Sequence, residues 1–203
     1  QEERKRDGLA KFSHITAPFK DKSFLTFLII YSIFEFGLLL SLPLYPLVQV
    51  DIAHISNFAA GIFGTIFSIM WLTGFFFWGH FIDKHSLPNL LKVLFLIASI
   101  IPLIYLLTYN IFFLSIAQGI AGFIFAAIEL IGYVVITRMA SPQQTPRYMA
   151  AATVLGGIRG ATAPFIGTAL MNTVGIKTVL GSSMILMFSS IFFVRFINPG
   201  EKR

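Results

Sequence analysis

Cysteine is absent from the 203 residues, which removes disulfide staples, thiolate nucleophiles and thiolate metal ligands together. Charge is scarce: Asp, Glu, Lys and Arg make up 12% of the chain, against about 25% in an ordinary soluble domain. Histidine does not fill the gap. His14, His54, His80 and His85 fall near the ends of apolar runs or in loops, without a partner at metal-ligand spacing, so neither a metal site nor another cofactor is expected. No Walker-type phosphate loop is present, and Gly181-Ser182-Ser183-Met184 lacks the glycine that follows the serine of a nucleophile elbow. ATP-driven and serine-hydrolase chemistry are thereby disfavoured, and no catalytic constellation is expected.

What the chain has instead is apolar surface. Hydrophobic residues make up 56% of it and aromatics 15%, mostly phenylalanine. Such a composition belongs in a lipid bilayer. Dividing the chain at its charges and turn residues leaves six runs near the length of about 20 residues that a spanning helix needs. They cover Phe24 to Val48, Phe58 to Phe81, Pro88 to Leu107, Ile111 to Thr137, Tyr148 to Met171 and Thr178 to Ile197. Period-two alternation is missing and each run far exceeds a spanning strand of about ten residues, which excludes a β-barrel. The expected fold is all-α: a six-helix bundle over residues 23–198, flanked by tails at 1–22 and 199–203.

The net charge of +6 needs no nucleic acid to explain it. Basic residues cluster at span ends, with Arg4, Lys5, Arg6, Lys11, Lys20, Lys22, Lys84, Lys92, Arg138, Arg147, Arg195, Lys202 and Arg203 on one side of the membrane and only Lys177 on the other. By the positive-inside rule the richer side is cytoplasmic, which places both termini there. The opposite connections are too short to form a domain. Function is therefore expected in the spans and cytoplasmic loops.

Three ionisable residues break the apolar spans. At 1.5 Å per residue, Glu35 lies about 16 Å from the cytoplasmic end of its span, Glu129 about 12 Å and Arg159 about 16 Å. An ionised group at that depth costs roughly 2.5–3.5 kcal/mol on insertion scales, so such groups pair, face a watery cavity or handle substrate. Two readings stand side by side. Glu129 and Arg159 form a static ion pair joining the fourth and fifth spans, or Arg159 attracts an anionic group of a substrate or sets the protonation of a glutamate. Glu35, with no basic neighbour in its own span, is either a proton carrier or a neutral hydrogen-bonded group. Gln118, Gly122, Glu129 and Tyr133 fall near one helical face and are expected to present a polar stripe to a shared cavity.

Three further patterns concern packing and movement. Phe36-Gly37, Pro43 and Pro46 mark a first span weakened towards its outer end, either as a static kink or as a moving gate. Ala152, Gly156, Gly160 and Pro164 recur every four residues, with Gly167 beyond them, as a small-residue ridge for close helix contact. Between the second and third spans, Gly79, Asp83 and Lys84 sit where a small residue admits a neighbouring helix and an acid beside a base can pair across to another helix end. A plain solvated turn is the alternative.

Gly79-His80-Phe81-Ile82-Asp83-Lys84-His85-Ser86 resembles the loop signature of the major facilitator superfamily, in a degenerate form with Ser86 for the second glycine. Arg147-Tyr148-Met149 followed by Gly156-Gly157-Ile158-Arg159-Gly160 resembles the eleventh helix of many bacterial members. Pro18-Phe19-Lys20-Asp21-Lys22 resembles the end of their central loop. The whole chain thus resembles the C-terminal six-helix half of such a transporter. The resemblance implies two inverted three-helix repeats and alternating-access secondary transport of a small solute bound near the bilayer midplane. It also implies a missing N-terminal six-helix half as partner, a cytoplasmic gate braced by Gly79, Asp83 and Lys84, and a bacterial plasma (inner) membrane location. Proton coupling through Glu35 or Glu129 is a further expectation. The competing reading is a non-transporting scaffold or subunit that binds another membrane protein and has no solute-sized cavity at the level of the buried charges.

Overall fold

The computed structural model describes residues 18–197, and every regular element among them is helical. The six spans are α1 (Lys22–Ser41), α2 (Asn57–Lys84), α3 (Leu87–Leu107), α4 (Ile111–Met139), α5 (Thr145–Val174) and α6 (Ile176–Phe193). All six are long and apolar enough to cross a membrane, α1 when taken with its outer continuation to Ile52. The expected tails, with Arg4, Lys5, Arg6, Lys11, His14, Lys202 and Arg203, lie outside the described residues apart from Pro18 to Lys22.

Three of the six spans, α1, α2 and α4, begin where the sequence supplies an acceptor for the free amide groups of the first turn. Asp21 accepts from the backbone N–H groups of Ser23 and Phe24 at 3.0 and 3.3 Å, Ser56 from Ala59 at 3.3 Å, and Asn110 from Phe112 at 2.9 Å. Gly175 ends α5 with φ at +84°, a conformation glycine adopts without strain. The first span is interrupted where its prolines stand. After Ser41 the helix breaks at Leu42-Pro43, restarts as Leu44–Leu47 and closes in a wide turn of π type over Val48–Ile52.

The packing follows an exchange of one helix triplet for the other. The α2 helix lies along α4 as α5 lies along α1, the α3 and α4 pair mirrors α6 and α1, and α3 meets α6. That pattern is what two inverted repeats, α1–α3 and α4–α6, generate. Small residues allow the close approaches. A Cβ at Gly122 of α4 would strike the Phe67 carbonyl of α2, one at Gly74 of α2 would lie 2.9 Å from Ala126 Cβ, and one at Gly167 of α5 would strike the Leu40 carbonyl of α1.

Two apolar clusters fill the interior. One gathers Phe24, Phe34, Trp78, Leu90, Leu94 and Phe95, with the Phe34 and Phe95 rings stacked at 4.2 Å. The other gathers Leu44, Tyr45, Val48, Phe63, Ile101 and Leu114. Lipid is as apolar as these side chains, so their contribution is close van der Waals contact rather than escape from water. By contrast, α2 and α5 bury few side chains within the bundle. Their broad apolar surfaces face outward.

Candidate functional site

The α1 helix brings Ser32 and Glu35 to one face, three residues apart. From α5, Arg159 reaches both. Its Nη1 donates to Ser32 Oγ at 2.6 Å, and its Nη2 donates to Glu35 Oε2 in an ion pair. The two side chains are 11% and 18% exposed, which makes this a largely desolvated contact. It is the one ion pair among the described residues. Arg159 Nε is buried without a hydrogen-bond partner.

Beside the pair lies a cavity of about 330 Å³ between α1, α4 and α5. Glu35, Glu129, Tyr133 and Arg159 line it together, with Ile128 and Met149 among the apolar walls. Glu129 and Tyr133 are both exposed there, one helical turn apart on α4. The cavity opens where α4 and α5 make little contact. Tyr31 of α1 reaches across to the Ile128 carbonyl at 3.5 Å and so holds α1 near this part of α4. On the far side of the α1 and α5 seam, Arg159 and Ser32 are the polar members of an otherwise apolar groove of about 600 Å³.

The partner of Arg159 differs from the expected one. The sequence suggested Glu129, but Glu35 holds the guanidinium and Glu129 remains free of any cation among the described residues. The physical reason is rotation about the helix axis: depth counting fixes height but not direction. The heights did carry a signal, because Glu35 and Arg159 count to the same depth. Ser32, missed by the sequence reading, could have been found three residues before Glu35 on the same face.

The expected polar stripe of α4 also divides. Glu129 and Tyr133 face the cavity, whereas Gly122 is buried against Phe67 of α2. Gln118 lies eleven residues from Glu129, about 16 Å along the helix, and lines a separate cavity of about 210 Å³. There Gln118 donates to the Tyr105 hydroxyl at 3.2 Å, and Gln49 donates to the same oxygen. One helix face therefore serves two different sites.

A sequence model of the Major Facilitator Superfamily matches residues 3–203. The chain belongs to this family. No curated relative matches it. As a major facilitator chain it is an integral membrane protein of a transporter family, and the bundle has the six helices of half such a fold.

The packing and loop motifs fare differently within this major facilitator half. Gly167 makes the close contact its ridge implied, but a Cβ at Gly160 would meet nothing within 4 Å, and one at Gly156 only the Arg159 guanidinium at 3.7 Å. Pro164 is half-buried within α5. The ridge is thus largely open rather than packed inside the chain. In the loop motif, the space beside Gly79 is also open, and Asp83 and Lys84 are exposed without an ion-pair partner among the described residues. The end of α2 is held by another group: Arg138 of α4 donates from Nη2 to the Ile82 carbonyl at 3.0 Å.

Proposed function

We propose that the chain supplies one half of a secondary carrier that moves a small solute by alternating access, with its substrate in the cavity between α1, α4 and α5. The observation that carries this reading is the convergence of Glu35, Glu129 and Arg159 on one hollow of about 330 Å³. A scaffold has no use for such a hollow. The outward apolar surfaces of α2 and α5, with open glycines such as Gly61, Gly64, Gly157 and Gly160, support a six-helix partner half against them. The end of the bundle that carries Lys84, Lys92, Arg138, Arg147 and Arg195 is taken as cytoplasmic, in a bacterial plasma membrane.

Proton coupling follows from the ion pair. A proton on Glu35 cancels its charge and weakens its hold on Arg159, which loosens α5 from α1 at the level of the cavity. Loss of the proton restores the clamp. Bound solute and bound proton thereby bias the same seam, which is the differential interaction that a coupled carrier requires.

The test is uptake by the complete protein in proteoliposomes, with and without a pH gradient. Glu129→Gln and Arg159→Ala are expected to reduce transport at least tenfold, and Glu35→Gln to remove the gradient's effect while sparing solute exchange. Unchanged, gradient-driven uptake in all three variants rejects the assignment.

A further inference from the structure

We infer that the cavity between α1, α4 and α5 takes a small organic cation, with the positive centre of the ligand against the Glu129 carboxylate and the Tyr133 ring. The inference rests on the carrier reading above and adds the charge class of the substrate. It begins from a count of the charged groups that line the cavity, which are Glu35, Glu129 and Arg159. Arg159 is already committed, by Nη2 to Glu35 and by Nη1 to Ser32. The pair is neutral as a unit. Glu129 has no cation within ion-pair distance among the described residues, so this chain's wall of the cavity presents one carboxyl group without a counter-ion.

An anion entering this space meets that carboxylate and competes with Glu35 for the guanidinium. A cation meets a free carboxylate at once. Tyr133 follows Glu129 by one helical turn on the same face, and its side chain is largely accessible, with 64% of the residue exposed. A ring face beside a carboxylate suits a substituted ammonium, because the ring quadrupole attracts a cation within about 6 Å of its centroid. The remaining walls include Ile128, Ile136 and Met149. They offer van der Waals contact to a hydrocarbon body, and the Thr153 hydroxyl adds a single further side-chain oxygen, too few for a bare calcium ion, which takes six or more oxygen ligands. The volume, near the lower end of the roughly 300–1,000 Å³ range of ligand pockets, fits one small organic ion.

The probe is radiolabelled benzyltrimethylammonium, with benzenesulfonate as an anion of similar size, measured by scintillation proximity on the protein in its native assembly in nanodiscs. Saturable binding of the cation and none of the sulfonate is expected. Glu129→Gln should weaken cation binding by about tenfold or more, and Tyr133→Leu by about threefold, while Tyr133→Phe keeps it because the ring face is retained. Equal binding of the sulfonate, or unchanged binding in a folded Glu129→Gln protein, overturns the inference. Should that variant not fold, carbodiimide modification of wild-type Glu129 decides: protection by the cation alone supports the site, and labelling indifferent to both probes overturns it. Exchange of a neutral or anionic solute by a protein that binds no cation rejects this inference but leaves the carrier. Cation binding without exchange of any solute does the reverse.

Discussion

Tyr148, at the start of α5, donates its hydroxyl to Asp21 Oδ2 at 3.0 Å while its ring packs on Phe24 with centroids 4.5 Å apart. Asp21 thus has two duties. It caps α1 through Oδ1 and anchors α5 through Oδ2. The ion pair of Arg159 with Glu35 joins the same two helices three turns further in, so the seam is held at two heights.

Tyr148→Phe keeps the ring contact and removes the hydroxyl. It is expected to lower stability by about 0.5–1.5 kcal/mol. Asp21→Ala should cost more, by about 1 kcal/mol, since it also removes the helix cap. Thermal unfolding in detergent measures both, and equal losses for the two variants would show that the capping bonds contribute nothing.

Replacing one member of the deeper pair leaves its partner charged and largely buried. Glu35→Ala or Arg159→Met alone should destabilise the protein by about 3–5 kcal/mol, whereas the double variant should lose much less than the sum. A double-mutant cycle in chemical unfolding reads the coupling directly. Strict additivity would mean that the two groups do not interact in the bilayer.

Alanine at three glycines should separate packed from open positions. Gly122→Ala and Gly167→Ala place a methyl against the Phe67 and Leu40 carbonyls, at an expected cost of about 1–3 kcal/mol each. Gly160→Ala should leave the stability of the isolated bundle unchanged, because nothing lies within 4 Å of its Cβ position. Comparable losses at all three sites would contradict the packing described above.

Tyr105→Phe removes the oxygen that receives both Gln49 and Gln118. Two amides lose a partner at once. The expected loss is about 1–3 kcal/mol, the range for leaving a buried polar group unsatisfied. Phenylalanine at this position with undiminished stability would show that water or another group takes over.

Most of the architecture was readable before any coordinates, for a physical reason. In hydrocarbon every backbone amide must find a partner within its own segment, so a long apolar run has few alternatives to helix. Span ends at Asp21, Ser56 and Asn110 were marked by residues able to cap, and the break after Ser41 by Pro43. The site was readable in height but not in direction. Residue counting brought Glu35, Glu129 and Arg159 to one level, yet only the rotation of α1 and α5 decides that Glu35 faces the guanidinium. The glycine ridge of α5 was readable in kind but not in partner: small residues announce a close neighbour without saying which molecule contributes it, and Gly167 meets α1 whereas Gly160 meets nothing among the described residues.

The close approaches at Gly74, Gly122 and Gly167 divide the bundle into two interlocked couples, α2 with α4 and α1 with α5. Backbone lies against backbone in each, so sliding within a couple would require a carbonyl to pass through a neighbour's Cα. The two couples are tied to one another through α3 and α6, which pack on each other and on α4 and α1 respectively. The border of α4 and α5, where Glu129 and Tyr133 look out, is by contrast thinly joined, and on the carrier reading it is the seam that could open with the least loss of contact.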